Sequence, residues 1–330
     1  MPVVLKDFER LQAMIRILIP LDGSGVAEEA LNHARSIAKT FPAELILLCV
    51  IAETDAGAAV QMDSVDFALY RHQAQAYLDG MLDKYATEGM SIRYEVAEGN
   101  PAETIVQFMT KTKPDLLVLT RYGRGNAQDF AAGGTAQKIV SSADCSVLLL
   151  DPRYPIDPEE NYHRILVAIY DGKDSDCAVA VATMIAEIHD ASLLLLHVVE
   201  EPRLPRSLFA TRHARQLVNE MHRIIRYEAE RRLRELSAKI PKNITVKTRV
   251  MVSSDTSFAI ESTADDHDSD LLLLHAIDAG LQDVRQYGSV NHSLIQYSHR
   301  PLFILQPSAE EGFASNFRSV YLDEQRLEVG

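Results

Sequence analysis

A strand, loop, helix, strand frame that occurs twice constrains this chain more than any other feature. In the first copy, Asp115-Leu116-Leu117-Val118-Leu119 is an apolar run that ends at Thr120. A glycine-rich loop follows, with Gly123, Arg124, Gly125 and Gly133-Gly134-Thr135. A helical stretch from Ala136 to Ser141 and a second apolar run, Val147 to Leu150, close the frame. The second copy begins 155 residues later: Asp270-Leu271-Leu272-Leu273-Leu274 answers the first run, and Pro301-Leu302-Phe303-Ile304-Leu305 answers Ser146 to Leu150. A chain that repeats such a frame folds it twice. In an open parallel sheet, a loop of this kind sits at the carboxyl end of a strand, where ligands bind. Glycines there let backbone N–H groups approach a phosphate, and the helix start adds partial positive charge. Arg121 and Arg124 would add full charges to that loop.

The rest of each half fits the same pattern. Arg16 to Leu21 reads as a strand buried on both faces, followed by Asp22-Gly23-Ser24. Glu28 to Lys39 has helical apolar spacing, and Glu44 to Val50 is a second strand. After a small, acidic insertion from Ile51 to Asp66, the stretch from Phe67 to Glu88 is expected to be a helix that turns Leu69, Ala76, Tyr77, Leu82 and Tyr85 inward and stops at Gly89. Ser91 to Val96 is a third strand. Asn100-Pro101 caps and opens the next helix, and Lys113-Pro114 ends it. Alternation of this kind predicts an α/β fold of two tandem, doubly wound, parallel-sheet (Rossmann-like) domains. His163 to Gly172 matches the first strand at an offset of 148, and Ala191 to Val198 matches Ala43 to Val50. The offset then grows to 155 and pairs Asp255 with the capping residue Asn100. The Pro-rich stretch Asp151 to Pro155 is the expected linker. This gives domains over 1–152 and 153–308 and a polar C-terminal tail over 309–330.

Charge and cysteine usage narrow the function. The formal net charge of -14 argues against a sequence-blind nucleic-acid binder, which needs clustered Lys and Arg. Cys49, Cys145 and Cys177 share no short spacing, so neither a cysteine zinc site nor a disulfide framework is indicated, and Cys49 and Cys145 read as inert core thiols. The opening MPVVLKDFERLQAM carries mixed charges and no long apolar core, and no apolar run has bilayer-spanning length. The expected compartment is the cytoplasm, with no membrane partner.

Other features have bland readings that must stand beside the sharp ones. A glycine loop alone can be only a tight connection, and Asp22 can simply cap the helix after it. His275 has Ala279 at its i+4 position and reads as a packed histidine. Asp265-Asp266-His267-Asp268-Ser269-Asp270 looks like a metal cluster but lacks the glycine and distal Glu of a calcium loop, so a solvated loop is expected. Arg203 to Arg234 is basic and reads as a solvated helix face paired with Glu220, Glu228, Glu230 and Glu235; the sharp alternative is a dock for an acidic partner. There is no Walker lysine and no ordered Ser-His-Asp or Cys-His set, so no catalytic residue is assigned.

Three stretches carry a family resemblance: Ile17-Leu18-Ile19-Pro20-Leu21-Asp22-Gly23-Ser24, Gly99-Asn100-Pro101-Ala102 leading to Asp115-Leu116-Leu117-Val118, and the glycine loop leading to Cys145-Ser146-Val147-Leu148. On these the chain resembles the universal stress proteins in their tandem, two-domain form. The resemblance implies a non-catalytic, cytoplasmic stress-response protein that acts as a sensor or adaptor toward a protein partner. It also implies ATP or a related adenine nucleotide in the first domain, and halves that pair through their last strands or self-associate. Asp22 and Val50 would lie by the base, and Gly123, Gly133, Gly134 and Thr135 by the phosphates; Pro20, Leu21, Thr120, Arg121, Arg124 and Gly125 complete the expected cofactor-binding set. The family's loop is Gly, two residues, Gly, nine residues, Gly, then Ser or Thr. Here Thr120 replaces the first glycine and Gly134 the hydroxyl residue, with Thr135 one place late. The second half departs further: Tyr170 holds the place of Asp22, followed by Asp171, and its loop series is His275, Asp278, Gly288, Ser289, with Asp283 adding further negative charge. The alternative is a purely structural interaction protein with both pockets degenerate. An adenylating enzyme or a flavin-binding electron carrier is a third reading.

Overall fold

The computed structural model describes residues 14–52, 64–86, 90–123, 134–156, 161–169, 175–200, 212–276 and 288–306. Arg124, Gly125, Gly133, Gly89, Tyr170, Asp171, Arg203, Arg206, Asp278, Asp283 and the tail lie outside the described residues. Residues 1–161 together with 276–330 form one compact unit, and residues 162–275 form another.

In the first unit the order is β1 (Ile15–Leu21), α1 (Gly25–Thr40), β2 (Ala43–Ile51), α2 (Ser64–Tyr85), β3 (Ser91–Glu98), α3 (Pro101–Thr112), β4 (Leu116–Thr120), α4 (Gly134–Ser141) and β5 (Ser146–Leu150), and later α8 (Gly288–Tyr297) and β10 (Leu302–Leu305). The strands align as β3-β2-β1-β4-β5-β10. The first five are parallel, and β10 runs antiparallel to β5. The doubly wound, parallel-sheet expectation holds from β1 to β5, and β10, the last strand of the second repeat, meets β5 antiparallel. The register gives the reason: Phe303 stands opposite Leu148, its own counterpart at the 155-residue offset, with Leu302 opposite Leu149 and Ile304 opposite Val147. Two copies of one strand that meet about a local two-fold axis must run in opposite directions.

The second unit comprises β6 (Arg164–Ile169), α5 (Ser175–His189), β7 (Ser192–Glu200), α6 (Arg212–Ala238), β8 (Val246–Ser253), α7 (Thr256–His267) and β9 (Leu271–His275). Its strands are all parallel, in the order β9-β6-β7-β8. In both units the central strands are buried on both faces, which explains their unbroken runs of Leu, Ile and Val. Among the described residues, no helix is long and apolar enough to cross a membrane.

The duplication holds at the level of single hydrogen bonds. Asn100 caps α3 by accepting from Glu103 N, and Asp255 caps α7 by accepting from Phe258 N. Asp115 N donates to the Arg16 carbonyl at 2.9 Å, as Asp270 N does to the Arg164 carbonyl at 2.9 Å. The Asp115 carboxylate accepts from Arg16 N at 2.8 Å; that of Asp270 accepts from His163 N at 2.6 Å and Arg164 N at 3.0 Å. Asp268 pairs with Arg164, and Asp266 lies 3.3 Å from Arg249. The acidic run before β9 is not the solvated loop expected: Asp265 to His267 end α7, Asp268 caps it, and Asp268 and Asp270 pin the entry to β6. The basic helix follows its bland reading: on α6, Arg223 pairs with Glu220, Arg231 with Glu228 and Glu235, and Arg234 with Glu230, all with exposed side chains, while Arg232 reaches Asp176 on α5.

Both α3 and α7 end on a non-glycine residue in the left-handed region, Lys113 at φ 46° and Asp268 at φ 53°. An L side chain is strained there. Lys113→Gly is therefore expected to raise the unfolding free energy by about 1 kcal/mol, read by urea titration; a loss of stability would contradict the cap assignment.

α1 carries His33, buried at 1% exposure. Burial, opposed by a backbone hydrogen bond at Tyr154, pushes its pKa from 6.5 down to about 3. The unfolded chain therefore takes up a proton as pH falls through about 6.5 while the folded chain does not, so stability drops by up to about 1.4 kcal/mol per pH unit from there toward pH 3. Wild type should lose more melting temperature between about pH 7 and pH 5 than His33→Gln does. Equal slopes would show that His33 is not the titrating group.

Candidate functional site

β1 leads to β2 and β3 on one side of the sheet, while β4 and β5 lie on the other, so the strand order reverses between β1 and β4. Open α/β sheets bind ligands outside the carboxyl ends of the strands at such a point. A cavity of about 700 Å³ lies there. It is lined by the ends of β1, β2 and β4, by the first turns of α3 and α4, and by α2.

Of the residues singled out from sequence, Pro20, Leu21, Asp22, Val50, Thr120, Arg121, Gly123, Gly134 and Thr135 all line this cavity. Their arrangement is tightly built. Asp22 Oδ1 accepts from Ser24 N at 2.9 Å and from Ser24 Oγ at 2.5 Å. Ser24, not Asp22, is the cap of α1: its Oγ accepts from Ala27 N at 3.2 Å. Gly123 lies against the other carboxylate oxygen, Asp22 Oδ2, so closely that a Cβ there would overlap it. Gly123 is thus required by close approach to Asp22. At Gly134, by contrast, a Cβ would meet nothing within 4 Å.

Thr120, where the family pattern has glycine, is accommodated because its Oγ1 donates to the Tyr122 carbonyl at 2.8 Å. Arg121 does not serve as the phosphate cation expected from sequence. Its side chain is among the largest fully buried ones, and its guanidinium donates to the carbonyls of Ile295 and Leu294 in the last turn of α8. Those carbonyls are the negative end of a helix, where a cation is stabilised. Asp151 is buried nearby. Burial alone would raise its pKa, but hydrogen bonds from Arg153, with the charges of Arg153 and Arg121, hold it below the ordinary carboxylate value.

Sequence reasoning missed the α2 wall, formed by Tyr70, Gln73, Ala74 and Tyr77. Their i, i+3, i+4, i+7 spacing is the signal that could have found them. The inward set expected on α2 needs correction: Leu69 is 56% exposed and Ala76 is exposed, while Leu78 and Tyr85 are the buried contacts. Leu69 is nine residues before Leu78, half a turn out of phase at about 100° per residue. Cys49 also lines the cavity and is only partly buried; Cys145 is buried, which pushes its thiol up to about 12. His275 ends β9 as a buried residue.

An open α/β sheet with a cavity at its switch point, folded from a repeated sequence frame, defines a Rossmann-like protein. A model of the universal stress protein family matches residues 14–151 and again 161–306, and the chain belongs to that family, in tandem form. A universal stress protein of Methanocaldococcus jannaschii is 32% identical over 137 residues, spanning 41% of this chain and 81% of that protein. Two crystal structures share the fold at low identity. One, a universal stress protein from Archaeoglobus fulgidus, has a TM-score of 0.60 at 16% identity and covers 89% of this chain and 98% of its own. The other, a functionally unknown protein from Pseudomonas aeruginosa, has a TM-score of 0.60 at 15% identity and covers 96% of this chain and 99% of its own.

Proposed function

We propose that this protein is a non-catalytic, cytoplasmic stress protein that binds one adenine nucleotide, ATP or a close relative, in the cavity of its first repeat and signals occupancy to a protein partner. The functional division falls at the linker, with repeats over 1–152 and 153–308 and a tail over 309–330. The observation that carries the reading is the cavity at the β1/β4 switch point, lined by Gly123, which is seated on an oriented Asp22, and by Gly134 and Thr135 at the start of α4. Backbone N–H groups at Gly134 and Thr135 begin α4 and lack intrahelical partners, so they and the helix dipole suit a phosphate. The Asp22 carboxylate is engaged by Ser24 and abuts Gly123, a positioning use rather than a proton-transfer one.

One observation favours the second reading, a structural interaction protein with degenerate pockets: Arg121 is turned to α8, which takes its cation away from the site. Equilibrium dialysis against ATP separates the two. Saturable binding supports the nucleotide reading, and no binding up to about 1 mM, a free energy weaker than about -4 kcal/mol, supports the structural one.

A further inference from the structure

We propose that the exposed face of α2, through Tyr70 and Gln73, selects the base of the bound nucleotide and favours adenine over guanine. This rests on the nucleotide reading above.

The cavity is electrostatically polar. Asp22 is oriented by Ser24, and the Tyr77 hydroxyl is buried; its pKa is raised by burial first, then by the Glu28 and Asp22 carboxylates. Glu28 is itself 3.3 Å from Lys84. The Glu28 and Asp22 carboxylates, which act on Tyr77 of α2, repel phosphates from the α2 lining, and the N-terminus of α4 attracts them, so a nucleotide is oriented with its phosphates toward α4. The α2 lining must therefore take the neutral, planar part of the ligand.

That lining comprises Tyr70, Gln73, Ala74 and Tyr77. Tyr70 and Tyr77 lie two helical turns apart on one face, with Ala74 leaving room between them. The core contacts of α2 are made by other residues, Leu78 and Tyr85, so packing does not account for this face. Aromatic rings offer a stacking surface to any base. Gln73 adds discrimination: its amide presents a donor and an acceptor side by side, which matches the N6 donor and N7 acceptor of adenine. Guanine shows two acceptors there, so the amide oxygen would face O6 without a hydrogen.

Titration calorimetry with ATP and with GTP tests this on wild type, Tyr70→Ala and Gln73→Leu in the full chain. Both positions lie outside the core, and thermal melting confirms that the variants stay folded. Wild type is expected to prefer ATP by about tenfold. Gln73→Leu should erase that preference, and Tyr70→Ala should weaken both nucleotides about tenfold while keeping it. If wild type binds neither nucleotide, this inference and the nucleotide reading both fall. If wild type binds but the two variants keep its affinities and preference, the assignment of the α2 face alone is overturned.

Discussion

Gly123→Ala is expected to lower nucleotide affinity by about tenfold or more, equivalent to at least about 1.4 kcal/mol, while leaving the protein folded. The added methyl group would overlap Asp22 Oδ2 and lie 3.4 Å from Asp22 Cγ. A flexible side chain could step aside, but this one cannot do so freely, because Ser24 N and Oγ both hold its other oxygen. Moving Asp22 therefore costs two hydrogen bonds, and Ser24 is also the cap of α1. The alternative is for the Tyr122–Gly123 segment to retreat, which would reshape the cavity rim. A double-mutant cycle separates these outcomes. With Asp22→Ala already in place the overlap disappears, so Gly123→Ala should then add almost nothing to the loss. An unchanged Kd for Gly123→Ala in the native background would show that the Asp22–Gly123 contact does not shape the site.

Arg121→Ala is expected to destabilise the first unit by about 3 kcal/mol, measured by urea or thermal unfolding. The substitution empties a fully buried volume and strips two α8 carbonyls of a charged donor. It also removes a positive charge from the surroundings of the buried Asp151. Arg121→Met serves as the control: it refills much of the volume without restoring the hydrogen bonds, so its loss should be smaller but still clear. The repeat shows what is particular to this residue. Arg121 N donates to the Leu150 carbonyl at 2.8 Å, and Ala276, its counterpart at the 155-residue offset, donates to the Leu305 carbonyl at 2.7 Å. The backbone contact is duplicated, but the buried guanidinium is not. A loss below about 0.5 kcal/mol for Arg121→Ala would place the residue among ordinary surface substitutions and contradict this role.

What the sequence made legible was whatever depends on neighbours along the chain. Asn100, Pro101 and Asp255 announced their helices because a capping side chain bonds to a backbone group three residues on. The unbroken apolar strands announced a sheet covered on both faces, and the duplication followed from their repeated spacing. The destination of Arg121 could not be read, because its partner carbonyl is 174 residues away on a helix of the other repeat. The reversal of β10 was hidden for the same reason: strand direction across a pair of last strands is set by how they meet, not by their composition. On α2 the error was one of phase. Many of its residues, including the wall Tyr70 to Tyr77, face the cavity or solvent, so apolar residues there do not mark one core stripe. At the site, the nine singled-out residues that lie among the described ones all line one cavity, since strand ends and glycine turns are local signals. Among those described, Arg121 turns its charge to α8.

Native mass spectrometry of the purified chain titrated with ATP tests the central claim most directly, because it counts ligands per chain. The account predicts saturation at one nucleotide per chain, with that single addition lost in Gly123→Ala. Two nucleotides per chain, or none at any concentration, would contradict it.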